Sequence, residues 1–242
     1  GVQTCALPIY LMNKGLIKRV LVICPLSIMH TAWRTDIFNT AMHRSSAVAY
    51  GSSTKRKTII NGDYEFIIIN YDGVNIVRDE IAKGGFDLII VDEANAYKTA
   101  STKRWRTLAG ILTPQTWLWM MTGTPTSQSP LDAYGLARLI SPYRVPKYVT
   151  AWRDKVMQQV TRFKWMPKMN AKDIVYAVHG SLYSPIYANR FEKINNYIGT
   201  VHSLLMPKNH IYLARRNGKA VWTGNTWRYF DPTFEPLYKV YR

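Results

Sequence analysis

In the stretch "FDLIIVDEANAYKTASTKRW", two adjacent carboxylates, Asp92 and Glu93, directly follow four apolar residues. A paired acid at the mouth of a buried strand can divide the work of phosphate chemistry, with one carboxylate holding a divalent cation while the other orients a water for attack. Adjacent like charges in a half-buried site are costly unless a cation accompanies them. Taken alone, the pair is better read as a turn capped by Asp92 with Glu93 in solvent. It does not stand alone. Polar clusters follow three other apolar runs, as "PLSIMHTAW", "NYDGV" and "TGTPTSQ".

The elements that must position these clusters are short. Apolar runs occur at "VLVIC" (Val20–Cys24), "FIIIN" (Phe66–Asn70), "LIIV" (Leu88–Val91) and "WLWMM" (Trp117–Met121). Continuous rather than alternating hydrophobicity marks strands buried on both faces, the habit of parallel sheets. Segments able to be helical lie at residues 31–41, 75–82, 101–112 and 131–140, with Gly84-Gly85 and Thr113-Pro114 as breaks. Strand alternating with helix implies right-handed crossovers and a doubly wound α/β layer, in which ligands sit beyond the carboxyl ends of the strands.

Composition narrows the partners. Lys and Arg outnumber Asp and Glu by 32 to 15 in 242 residues, a net charge of +17 that suits a polyanion or a solvated basic face. Cys5 and Cys24 offer neither a disulfide framework nor metal-ligand spacing, and the five histidines have no HxxxH or CxxC companion. No apolar run approaches the roughly 18 residues of a membrane span. The expected compartment is reducing cytoplasm. Residues 1–9, "GVQTCALPI", read as the translated end of a sequencing-library adapter, and with no initiator Met the natural gene is expected to begin upstream.

The motifs "RVLVICPLSIMHTAWRTDI", "FIIINYDGV", "DLIIVDEANAYKTASTKRWRTL" and "WLWMMTGTPTSQSPLDAYGLARLISP" resemble, in order and spacing, motifs Ia, Ib, II and III of the first RecA-like domain of SNF2-type superfamily 2 helicases, particularly phage and bacterial ones. The resemblance implies a RecA-like, mostly parallel sheet with helices on both faces over residues 10–176, incomplete at its N-terminus, and a small α+β tail over 177–242. It also implies ATP and Mg²⁺ as cofactors. Asp92 would hold Mg²⁺ through water, Glu93 would activate the hydrolytic water, and Thr122, Gly123 and Thr124 would link nucleotide state to DNA grip. Nucleic acid would meet Pro25, Leu26 and Ser27 after the first strand, Asn70 and Tyr71 after the second, and Lys98, Thr99 and Lys103 after the acid pair. Such contacts give sequence-independent, salt-sensitive binding to duplex DNA.

Asn95 departs from the family's usual His. The phosphate-binding string GxxxxGK[ST] is absent, since Gly218-Lys219 precedes Ala220 and reads as a hairpin turn after Asn217. The expected product is therefore a fragment of a DNA helicase or translocase, inactive alone, whose parent serves replication or recombination in a bacterial cytoplasm. Two alternatives stay open: a non-catalytic basic nucleic-acid-binding protein keeping the fold, and another P-loop ATPase such as a terminase-like motor. Trp33 is expected in the core. In the tail, a helix is expected at residues 186–205 and strands at 210–215 and 220–230.

Overall fold

The computed structural model describes residues 2–122, 128–171, 174–175, 191–193, 211–216, 219–224 and 238–240. Helix α1 (Val2–Asn13) leads into β1 (Val20–Cys24), a π-helical turn (Met29–Arg34) and α2 (Thr35–Thr40). Next come β2 (Ser46–Val48), α3 (Ser53–Asn61), β3 (Phe66–Asn70), α4 (Tyr71–Ile76) and α5 (Arg78–Lys83). Strand β4 (Leu88–Val91), a 3-10 turn (Ala94–Tyr97), α6 (Lys103–Ile111) and β5 (Trp117–Met121) complete the alternation. The four strands expected from apolar runs form with the same bounds.

These strands and β2 make a parallel sheet in the order β5-β4-β1-β3-β2. The chain winds outward from β1 to one edge, then crosses to β4 and β5 on the other side, so the winding reverses between β1 and β4. Period-2 alternation splits each strand between two cores. Leu21, Ile23, Ile67, Ile69, Ile89 and Val91 pack with residues of α3, α5 and α6 and with Leu136, Leu139 and Ile140. Val20, Val22, Phe66, Ile68, Leu88 and Ile90 pack with α1, the π-turn and α2. Both faces are covered, which is why the runs are continuously apolar.

Strand β2 carries too little pattern to be legible in the sequence, because its three residues, Ser46, Ala47 and Val48, are only half-buried. The helix expected at 31–41 begins as a π-turn, and that expected at 75–82 is two short helices meeting at Val77. Capping sets other starts: the side chain of Ser52 accepts from the Lys55 N–H, and that of Thr102 from the Trp105 N–H, each at 3.2 Å. Residues 2–9 lie within α1, where Cys5 and Ile9 join the buried face.

Beyond β5, a 3-10 turn (Pro130–Asp132) enters α7 (Ala133–Ile140), followed by α8 (Val149–Val156) and the antiparallel pair β6 (Met157–Thr161) and β7 (Lys164–Pro167). Strand β8 (Phe191–Lys193) falls inside the segment expected to be helical, whose remainder lies outside the described residues. Strands β9 (Ile211–Arg216) and β10 (Lys219–Gly224) pair antiparallel with Lys219 opposite Arg216, and β9 joins the main sheet beside β5. Strand β11 (Tyr238–Val240) pairs with β8.

Candidate nucleotide and nucleic-acid site

The acid pair leaves β4 beside the end of β1, at the reversal of winding where open α/β sheets bind ligands. The Asp92 N–H donates to the Ile23 carbonyl at 2.8 Å, extending the β1–β4 ladder by one bond. The next residue breaks it. Glu93 adopts left-handed backbone angles (φ 47°, ψ 56°), the one non-glycine with positive φ among the described residues. Such a conformation costs of order 1 kcal/mol and persists where the surroundings over-determine it.

Here the surroundings do so from three sides. The Trp33 Nε1–H donates to Asp92 Oδ2 at 2.9 Å, and the Glu93 N–H donates to Asp92 Oδ1 at 2.9 Å. The Tyr71 hydroxyl donates to the Asp92 carbonyl at 2.7 Å and reaches the Glu93 carbonyl at 3.4 Å. Among the described residues each Asp92 oxygen accepts one such bond, and a carboxylate oxygen has two lone pairs, so each can also meet a cation or its water. Glu93 is exposed and directed to solvent.

Electrostatics follow from this geometry. Burial pushes the Asp92 carboxyl above its ordinary range, opposed by the Trp33 and Glu93 N–H bonds. Cys24, one strand away, is pushed up to about 12 by burial and by Asp92, leaving an inert thiol. Burial also raises the Tyr71 and Tyr97 phenols, so Tyr71 stays protonated and able to donate. The donor set suits magnesium better than zinc: no cluster of three or more His, Cys, Asp or Glu exists among the described residues, and Mg²⁺ needs only one or two carboxylates when waters and phosphates complete its octahedron.

A second tier fixes the loop from below. Tyr97 is fully buried, with its ring 5.8 Å from that of Tyr71 in an edge-to-face contact. Helix α7 approaches so closely that a Cβ on Gly135 would lie 2.1 Å from the Lys98 carbonyl oxygen. Glycine is required there by contact rather than by backbone angle. The Trp105 Nε1–H donates to the Gly135 carbonyl at 2.8 Å, tying α6 to the same joint.

The residues expected to meet nucleic acid share the carboxyl edge of the sheet but differ in freedom. Leu26, Ser27, Thr99 and Lys103 are exposed, and Pro25 is half-buried. Lys98 Nζ lies 3.6 Å from Asp132 Oδ1. Asn70 Oδ1 accepts from Arg56 Nη1 at 2.9 Å, and Tyr71 is committed to the acid-pair carbonyls. Buried Thr122 directly follows β5, whereas Gly123 and Thr124 lie outside the described residues. Trp33 lies in the core as its sequence context predicts, with 5% exposure, but its bond to Asp92 was not foreseen. The one available signal was its position on the helix after β1, facing the same sheet edge.

Five parallel strands with helices on both faces, and an acid pair at the reversal of winding, define a RecA-like α/β core. A family model described as "SNF2-related domain" matches residues 1–213, and the chain belongs to that family. A solved structure described as a Sulfolobus solfataricus SWI2/SNF2 ATPase core in complex with dsDNA shares the fold, at 22% identity and a TM-score of 0.60. The match covers 72% of this chain and 35% of that one, so the chain spans about a third of that protein's length. No curated protein sequence matches the chain. No helix among the described residues is long and apolar enough to cross a membrane.

Proposed function

We propose that this chain is part of the first motor lobe of an ATP-dependent DNA translocase or helicase. The observation that carries the reading is the acid pair at the reversal of winding, with Asp92 oriented by Trp33 and Glu93 left exposed. Residues 10–176 form the lobe and 177–242 its tail in this proposal. Asp92 would hold a hydrated Mg²⁺, which when bound supplies positive charge to the nucleotide phosphates. Glu93 would orient a water for in-line attack and take its proton. Thr122 to Thr124 would connect this centre to the DNA-facing edge.

On that edge the loop of Pro25, Leu26 and Ser27 would approach the phosphodiester backbone of duplex DNA, with Lys98, Thr99 and Lys103 as further contacts. Backbone contacts of this kind carry no base information and weaken steeply with salt. The duplex DNA belongs to the Sulfolobus complex; for this chain it supports the choice of ligand. The 242 residues hold no GxxxxGK[ST] string, so turnover is proposed for a parent chain that carries one. Replication or recombination in a bacterial cytoplasm, including that of a phage-infected host, is the proposed setting.

The test is DNA-stimulated ATP hydrolysis by a chain extended with a segment that carries GxxxxGK[ST], beside the 242-residue chain and a Glu93→Gln variant of the extended chain. The expected result is turnover in the extended chain that falls by about 10²–10⁴-fold in Glu93→Gln, the range for loss of a positioned base. An extended chain that binds DNA and never turns over ATP would instead make this a basic binding module.

A further inference from the structure

The hairpin β6–β7 stands apart from both cores. Its register sets Gln158 opposite Met166 and Gln159 opposite Trp165, with a bulge between Gln159 and Thr161. Beyond Met157 nearly every residue is exposed, including Val160 at 53% and Phe163 at 87%, and Met169 just past β7 is fully exposed. A two-stranded ribbon with open faces is marginal in water by itself, and exposed large apolar side chains clustered together mark contact surfaces.

The root of the hairpin is firm. Trp152 is fully buried and donates from Nε1 to the Pro130 carbonyl at 3.2 Å, and Val156 and Met157 join it in a third apolar cluster with residues of α7. Ala100 packs on that cluster, so the hairpin's root and the residue after Thr99 meet the same apolar cluster. Charge is one-sided. Residues 143–169 contain seven Lys or Arg and a single acid, Asp154, and the hairpin itself has none. At its tip, Phe163 is flanked by Arg162 and Lys164, with the Arg162 guanidinium 5.5 Å from the ring.

We propose that this hairpin is a contact for single-stranded nucleic acid, with Phe163 stacking on a base and Arg162 and Lys164 meeting the adjoining phosphates. An exposed ring bracketed by cations, on a rigid root without carboxylates at the tip, matches the combination that binds single strands without sequence preference. The inference rests on the nucleic-acid reading above and extends it from the sheet edge to a separate element.

The test is fluorescence anisotropy with the 242-residue chain and three labelled probes: an oligothymidylate, an abasic sugar-phosphate chain of equal length, and a duplex. Phe163→Ala is expected to weaken oligothymidylate binding by roughly 5- to 100-fold while leaving the abasic probe unchanged, and Phe163→Trp to preserve it. Replacing Arg162 and Lys164 by Ala should weaken both single-stranded probes and reduce the salt slope by about 0.7 per cation removed. If Phe163→Ala binds oligothymidylate as tightly as the parent chain, the ribbon faces a protein surface and the proposal is overturned. Lys103→Ala with the duplex probe separates the two readings. Loss of duplex binding there, with Phe163→Ala silent, removes the hairpin contact and keeps the motor reading; the reverse pattern keeps the hairpin and removes the sheet-edge grip.

Discussion

The acid-pair loop and the β6–β7 hairpin are held in opposite ways. Around the acid pair, three rings hold hydrogen bonds: Trp33 donates to Asp92, Tyr71 to two carbonyls, and Trp105 to Gly135. On the hairpin, Phe163 is 87% exposed and Arg162 and Lys164 project beside it. Aligning a cation and a water demands carboxylates fixed by packing and hydrogen bonds. Gripping a polyanion tolerates exposed side chains, because charge acts without close placement. The contrast separates the part fit for chemistry from the part fit for holding.

Substitutions can break or sharpen this contrast. Largest is Trp152→Ala, which empties a fully buried site under the hairpin and should lower unfolding free energy by about 3–5 kcal/mol in urea titration. Gly135→Ala should cost about 1–3 kcal/mol through overpacking against the Lys98 carbonyl, and hydrogen exchange should rise in residues 94–98 rather than across the sheet.

Trp33→Phe removes the bond to Asp92 and should cost about 1.5–3 kcal/mol at neutral pH, the range for a hydrogen bond to a charged group. Its pH dependence has a definite sign. Burial raises the Asp92 pKa above the unfolded value, so the Asp92 contribution to stability is fully present at low pH and is lost as pH rises through the folded value. Without the Trp33 donor that pKa rises further. The cost of the variant should therefore grow as Asp92 ionises, and carboxyl ¹³C titration should place the Asp92 midpoint higher in Trp33→Phe than in the parent.

Smallest is Phe163→Ala, expected to change stability by no more than about 0.5 kcal/mol because its ring is in solvent. A cost near that of Trp152→Ala would show that the tip is packed, ending the contrast between the two regions.

Much of the fold was legible because burial on both faces leaves a plain mark. Val20–Cys24, Phe66–Asn70, Leu88–Val91 and Trp117–Met121 could be read as strands since no polar residue interrupts their apolar cores. Strand β2 could not, because an edge strand half-open to solvent needs no such run. The Asp92–Glu93 pair was legible from its place after β4. Asn70 and Tyr71 stand at the same sheet edge, but whether they turn outward or inward depends on Arg56 and on the acid-pair carbonyls, which come from other elements.

Local sequence therefore determined the four continuously apolar strands, the family, and the strand end that carries the acids, since periodicity and motif spacing are properties of neighbouring residues. Tertiary structure decided which groups orient those acids. Trp33 lies 59 residues from Asp92 along the chain, and Gly135 meets Lys98 only where α7 crosses the loop. Such contacts arise from the winding order of the sheet and the packing of helices upon it, which bring distant residues within hydrogen-bond reach and leave no periodic trace in the chain.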